Sequence, residues 1–219
     1  MSESFGGPQW RPGEHETARW CRLLEESGVP ADPGRLDLRR PPGELSHPAA
    51  RGATLIHPGA ASAARRWPPE RFAAVASAEL ERGRTVLLTG SRGERALAAN
   101  VARRAGLPPD AVLAGGTDLL GLAGLVAAAG RIVCGDTGVA HLATALGVPS
   151  VVLFGPTSPE EWGPPAGRPW HRALWRGRAG DPHGARPDSG LLELEVEDVL
   201  SALRDLPERA VVGAAKAVA

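Results

Sequence analysis

Residues 134–157 read CGDTGVAHLATALGVPSVVLFGPT. An apolar strand ending in Cys134 runs into Gly135-Asp136-Thr137-Gly138, a helix carrying His141 follows at once, and a second apolar strand spans Ser150–Phe154. Glycine at 135 and 138 lets a ligand approach the backbone closely. The free N–H groups and dipole of the new helix favour an anion such as a diphosphate, and the Thr137 hydroxyl adds a donor. The competing explanation is local: Asp136 or Thr137 caps the helix, worth about 1 kcal/mol, and His141 packs as an ordinary helix residue. The stretch by itself leaves both open.

The same alternation extends outward on both sides. Thr54–His57, Thr85–Thr89 and Arg131–Cys134 read as strands, with a weaker one at Ala111–Ala114. Helical spacing occupies Glu70–Glu81, Gly93–Arg104, Leu119–Ala129, Val139–Leu146 and, after a Gly/Pro/Arg-rich loop, Val196–Leu206. Near-continuous apolar strands alternating with helices predict an α/β fold, a Rossmann-like doubly wound parallel sheet covered on both faces. It occupies residues 53–206. Before it, residues 1–52 comprise a loop, a helix over Glu14–Ser27 stopped by Gly28, and a linker or irregular edge segment with five prolines (Pro30, Pro33, Pro41, Pro42, Pro48). Residues 207–219 read as a frayed tail.

Composition narrows the function. Among 219 residues, 25 basic side chains balance 25 acidic ones, which argues against a nucleic-acid partner. No apolar run approaches the roughly 20 residues that cross a bilayer, and the first residues lack a signal-peptide pattern. The two cysteines, Cys21 and Cys134, are too few for a disulfide framework or a zinc site. Free thiols fit a reducing compartment, and cytoplasmic localisation is expected. No DxD motif and no His/Cys cluster occurs, so neither a cofactor nor a metal is expected.

In such a sheet, ligands bind beyond the carboxyl ends of the strands. Four loops there carry polar residues: His57 to Trp67, Thr89 to Glu94, Gly135 to Gly138 and Gly155 to Pro159. Arg65 and Arg66 have forked donors suited to a diphosphate, or form an exposed basic pair. Glu94 suits ribose hydroxyls, or complements a helix dipole. Trp67-Pro68 reads as a packing anchor.

HPGA followed by RRWP, then LLTGSRGE, then CGDTGVAHLATALGVPSVVLFGPTSPEEWGP, resembles glycosyltransferase family 9, the bacterial ADP-heptose:lipopolysaccharide heptosyltransferases. The motifs run in order from about Leu55 to Pro164. The resemblance implies the C-terminal, donor-binding domain of a GT-B fold. Asp136, Thr137, Gly138 and His141 then line the donor site, Arg65 takes a basic position facing the diphosphate, and Glu94 faces the nucleoside ribose. The implied ligands are a nucleotide-diphosphate sugar donor and a saccharide or glycolipid acceptor. The other domain of such an enzyme, with its catalytic carboxylate, has no counterpart before residue 14. The catalytic base is therefore unassigned, and an acceptor-domain partner chain or a homodimer is expected to complete the cleft. A non-catalytic nucleotide-sugar-binding module, a truncated remnant and a GT-B epimerase are the alternatives.

Overall fold

The computed structural model describes residues 9–41 and 47–209. Five strands, β1 (Thr54–His57), β2 (Val86–Leu88), β3 (Arg131–Gly135), β4 (Ser150–Leu153) and β5 (His171–Leu174), pair in the order β2-β1-β3-β4-β5. Every pairing is parallel. All residues of β1 to β4 are buried, as uninterrupted apolar runs such as Ile132-Val133-Cys134 require of strands covered on both faces.

The helices are α1 (Glu16–Glu26), α2 (Pro69–Glu81), α3 (Arg95–Arg104), α4 (Leu119–Ala128), α5 (Gly138–Ala145), the single-turn α6 (Pro159–Trp162) and α7 (Ser189–Leu192), and α8 (Val196–Arg204). α2 packs on α3 and α8, while α4 packs on α5, so helices cover the sheet in two layers. The domain is Rossmann-like and doubly wound, as expected. Strand order reverses between β1 and β3, and such a switch point opens a crevice at the carboxyl edge.

Trp67 fixes the entry to α2. It is fully buried, donates from Nε1 to Leu194 O at 2.9 Å, and meets Phe72 edge to face at 5.1 Å. Pro69 then occupies the first helical position, where its missing N–H costs nothing.

The structure departs from the sequence expectation in three places. Ala111–Ala114 is not a strand. Pro108 and Pro109 start a 3-10 turn ending at Ala111, only a bridge from Val112 to Leu88 follows, and Gly115-Gly116 ends the approach. Conversely, β5 lies inside the stretch taken as loop. Its four residues, His-Arg-Ala-Leu, have one free edge and partial exposure, so they carry no continuous apolar signal. The 3-10 turn Arg92–Glu94 also precedes α3, so that helix starts two residues later than its pattern suggests.

The expected loop over residues 1–8, part of the proline-rich segment (42–46) and residues 210–219 of the tail lie outside the described residues. The described portion of the proline-rich segment runs irregularly against α5. Leu38 N donates to Ala145 O at 2.8 Å, and Arg168 bonds both Asp37 and Thr144 O. At the other terminus, the Arg209 guanidinium donates to Ala127 O, Ala129 O and Leu146 O.

Candidate functional site

The crevice between the β1 and β3 loops is built by close backbone approach. A side chain at Gly135 would place its Cβ 2.9 Å from Arg65 O, so only glycine lets the two loops meet. Arg65 ends a 3-10 turn (Ala63–Arg65) that Ser62 caps. Its Nη1 donates to Asp136 O at 3.3 Å and lies 3.7 Å from Asp136 Oδ2. The Thr157 hydroxyl donates to that same Oδ2 at 2.8 Å. Arg66, the other half of the basic pair, instead bonds Ala60 O at 2.9 Å and braces its own loop.

Capping does not account for the β3 loop. Neither Asp136 nor Thr137 accepts a hydrogen bond from the first turn of α5: Asp136, only 3 % exposed, is engaged by Thr157 and Arg65, and α5 has no side-chain cap. At the start of α5 the N–H groups of Gly138 and Val139 have no partner among the described residues, while Ala140 N donates to Thr137 O at 3.0 Å. The Thr137 hydroxyl and Arg65 Nε, both sealed from solvent, also lack a hydrogen-bond partner there. Unmade hydrogen bonds of buried polar groups are costly and infrequent. The space in front of Gly138 is open. Burial first, and then the Asp136 charge, push the neighbouring Cys134 thiol up to about 12, with the Thr137 hydroxyl opposing. That thiol stays protonated and inert.

At Gly138 the requirement is space, not backbone conformation. Its φ is not positive, and a Cβ there meets nothing within 4 Å. The backbone does not demand glycine; what glycine does is keep the space in front of α5 clear.

Glu94 sits on the far side of β1. Its Oε2 accepts from Ser91 N (2.7 Å) and Ser91 Oγ (2.8 Å), closing a capping box. A Cβ on Gly59 would fall 2.1 Å from its Oε1, so that glycine makes room for the carboxylate. His57 Nε2 lies 4.0 Å away, and His57 Nδ1 is 3.0 Å from Thr89 Oγ1. Partial burial raises the Glu94 carboxyl, but the two Ser91 bonds, with His57 and Arg66, outweigh it and leave it below the usual range. Burial lowers the His57 imidazole, against the pull of Glu94. His57 is therefore neutral at pH 7.

The structure thus joins Arg65, Asp136, Thr137 and Gly138 directly and sets Glu94 one strand over. His141 stands apart. It is exposed, one turn along α5, with its ring 6.4 Å from that of Trp162. Both rings line a cavity of about 420 Å³ that His15, Trp20 and Leu24 close from the side of α1.

Two contributors are absent from the sequence candidates. Thr157 sits in the FGPT run right after β4, a visible position whose role depends on a contact across strands. The loop over 177–188 reaches back by main chain: Gly184 O accepts from Ala64 N and Ser62 Oγ, Asp188 N donates to Ala64 O, and Gly180 N donates to Pro156 O. Backbone contacts of this kind leave no residue signature. Among the described residues, no three His, Cys, Asp or Glu side chains gather in a metal-binding group, and no helix is long and apolar enough to cross a membrane.

Comparison with known proteins identifies the family. The family profile described as glycosyltransferase family 9 (heptosyltransferase) matches residues 10–175. Lipopolysaccharide heptosyltransferase 1 of Pseudomonas aeruginosa is 36 % identical over 151 residues, which are 67 % of this chain and 41 % of that protein. The solved structure of Escherichia coli ADP-heptose LPS heptosyltransferase II superposes with a TM-score of 0.59 at 25 % identity, covering 90 % of this chain and 52 % of that one. A family 9 glycosyltransferase structure from Veillonella parvula superposes with a TM-score of 0.71 at 23 % identity, over 87 % of this chain and 59 % of that one, and supports the fold. The chain spans between 41 % and 59 % of the length of these proteins, the share expected of one domain of a two-domain GT-B enzyme.

Proposed function

The chain belongs to glycosyltransferase family 9, and we propose that it is the half of a heptosyltransferase-like enzyme that binds the nucleotide-diphosphate sugar. One observation carries this: the uncapped N-terminus of α5, with open space in front of Gly138, lies beside the Arg65 guanidinium at the switch point of the sheet. A diphosphate supplies the acceptor oxygens those donors lack. Glu94, one strand away with Oε1 outside the capping box, is placed for the ribose of the same ligand. An ADP-sugar, with ADP-heptose as the family's own donor, is the expected ligand.

In an inverting transfer, an acceptor hydroxyl attacks the anomeric carbon while a base takes its proton. The bond from that carbon to the diphosphate oxygen breaks, and the diphosphate leaves with the electron pair. Arg65 and the N-terminus of α5 stabilise the charge that grows on the leaving oxygens, where fixed donors act most strongly. Both candidate carboxylates, Asp136 and Glu94, are already engaged, Asp136 by Thr157 and Arg65, and Glu94 by Ser91. The base is accordingly assigned to an acceptor-binding domain. Its docking face is α1, where Trp20 is 56 % and Leu24 43 % exposed beside the cavity that His141 lines. The same engagement of both carboxylates favours one second reading, a nucleotide-sugar-binding module without turnover of its own.

Calorimetric titration with ADP and an ADP-sugar tests the assignment. Arg65→Met and His141→Ala should each weaken binding by about tenfold, the loss of one hydrogen bond to a charged group. Unchanged affinity in both would remove the donor-site reading. Turnover when an acceptor domain is added separates the enzyme from the binding module.

A further inference from the structure

We propose that Thr157 is a positioning residue, which keeps the Asp136 carboxylate off the N-terminus of α5 and so keeps that terminus open for an anion. The proposal rests on the donor-site reading above and goes one step further, to the device that maintains the site.

Asp136 is a buried carboxylate one residue before the first turn of a helix whose opening N–H groups have no side-chain cap. A carboxylate at such a place is drawn to those N–H groups by both hydrogen bonding and the dipole. It does not go there. The Asp136 N–H still belongs to the sheet, donating to Leu153 O at 3.1 Å, so the main chain is fixed by the β3–β4 ladder. The side chain is fixed by a neighbouring loop: β4 delivers Thr157, whose hydroxyl donates to Oδ2 at 2.8 Å, and Arg65 Nη1 approaches the same oxygen at 3.7 Å. With Oδ2 held on that side, the carboxylate makes no cap to α5. A bound diphosphate would otherwise have to displace it and bear its repulsion.

Thr157 itself adds no charge to the crevice, and its one hydroxyl bond is spent on Asp136. Its influence on a ligand should therefore pass through Asp136 alone. The test is a double-mutant cycle in the full chain, with ADP as the probe and urea unfolding of every variant alongside. Thr157→Val removes the hydroxyl at nearly constant volume and should weaken ADP binding about tenfold, as loss of a bond to a charged group implies. Thr157→Ser keeps the donor and should stay within about twofold of wild type. In an Asp136→Ala background, Thr157→Val should change affinity by less than about twofold, because the group it positions is gone. Should the valine variant not fold, Thr157→Ala takes its place in the same cycle.

Wild-type affinity in Thr157→Val, with wild-type protein binding ADP normally, would overturn the positioning role and leave the donor site standing. Equal losses with and without Asp136 would also overturn it, since Thr157 would then act on the ligand directly. A wild-type chain with no affinity for ADP would remove the donor site and this proposal together.

Discussion

The two edges of the sheet use the same kinds of side chain to opposite ends. At the amino edge, Glu79 is fully buried. It accepts from Thr54 Oγ1 at 2.7 Å and from Arg82 at 3.3 Å, with Arg84 at 3.6 Å and Arg131 at 3.9 Å. Arg131 in turn donates to Leu203 O, so α2, β1, β3 and α8 are tied at one carboxylate. At the carboxyl edge, Asp136 also meets a threonine and an arginine, yet Arg65 Nε, Thr137 Oγ1 and the start of α5 remain unpartnered. The Glu79 cluster is saturated and the Asp136 cluster is left with donors to spare. The first ties the fold together, and the second is the one proposed to meet a ligand.

The largest effect should come from breaking the saturated edge. Glu79→Ala removes the carboxylate and leaves the buried Arg131 guanidinium with Leu203 O but no buried counter-charge. Burial already disfavours its charge. A loss of about 3 kcal/mol of unfolding free energy is expected, in the range for removal of one member of a buried ion pair. Urea unfolding measures it. Binding of ADP by the folded fraction should be unchanged, because the substitution lies at the far end of the strands. A loss of affinity without loss of stability would break the division between the two edges.

A pH dependence should follow from the same edge. His171 opens β5, is 7 % exposed, and shares a 2.8 Å hydrogen bond between Nδ1 and Ser150 Oγ, while its Nε2 has no partner. Burial, and then the Arg168 charge, lower its pKa from 6.5 to about 4. The folded state therefore binds this proton less readily than the unfolded chain. The stabilisation is complete above pH 6.5 and is lost as pH falls from there towards 4, by about 2 kcal/mol. Unfolding curves at pH 7 and pH 5 show this loss, and His171→Gln should abolish its part of the difference. Equal slopes in the two proteins would mean that His171 does not titrate across folding.

The sequence was most informative where chemistry and local pattern coincide. β1 to β4 announce themselves as short apolar runs, and Gly135-Asp136-Thr137-Gly138 marks a strand-to-helix turn by composition alone. Arg65 and Glu94 could be placed at the right edge because every parallel strand delivers its following loop there. What local pattern could not supply was distance along the chain. β5 is an edge strand with an arginine in it, so neither period nor hydropathy separates it from loop. The choice between Arg65 and Arg66 depended on which carbonyl each one meets, Asp136 O or Ala60 O. Thr157 and Asp136 are 21 residues apart and meet only because β3 and β4 are neighbours. The capping alternative was likewise decidable only once the partner of the Asp136 carboxylate was known.

The smallest effect on the fold should come from Gly138, and there the two edges are separated most cleanly. Nothing lies within 4 Å of a Cβ at this position, and the backbone is not in the left-handed region. Gly138→Val therefore meets neither a clash nor a dihedral penalty, and the loss of glycine's freedom in the unfolded chain acts in the stabilising direction. Unfolding free energy should stay within about 0.5 kcal/mol of wild type or rise slightly. The added methyl groups would nevertheless stand in front of the uncapped N–H groups of α5, where the proposed donor's phosphate oxygens would sit, so ADP affinity should fall by at least about tenfold as those bonds are lengthened or lost. Stability and affinity would move independently, the reverse of Glu79→Ala. Gly138→Ala, with a single methyl, should fall between wild type and valine in affinity while matching both in stability. A valine variant that binds ADP as wild type does would mean that the clear space before α5 is not where the ligand sits, and the spare donors of the carboxyl edge would need another explanation.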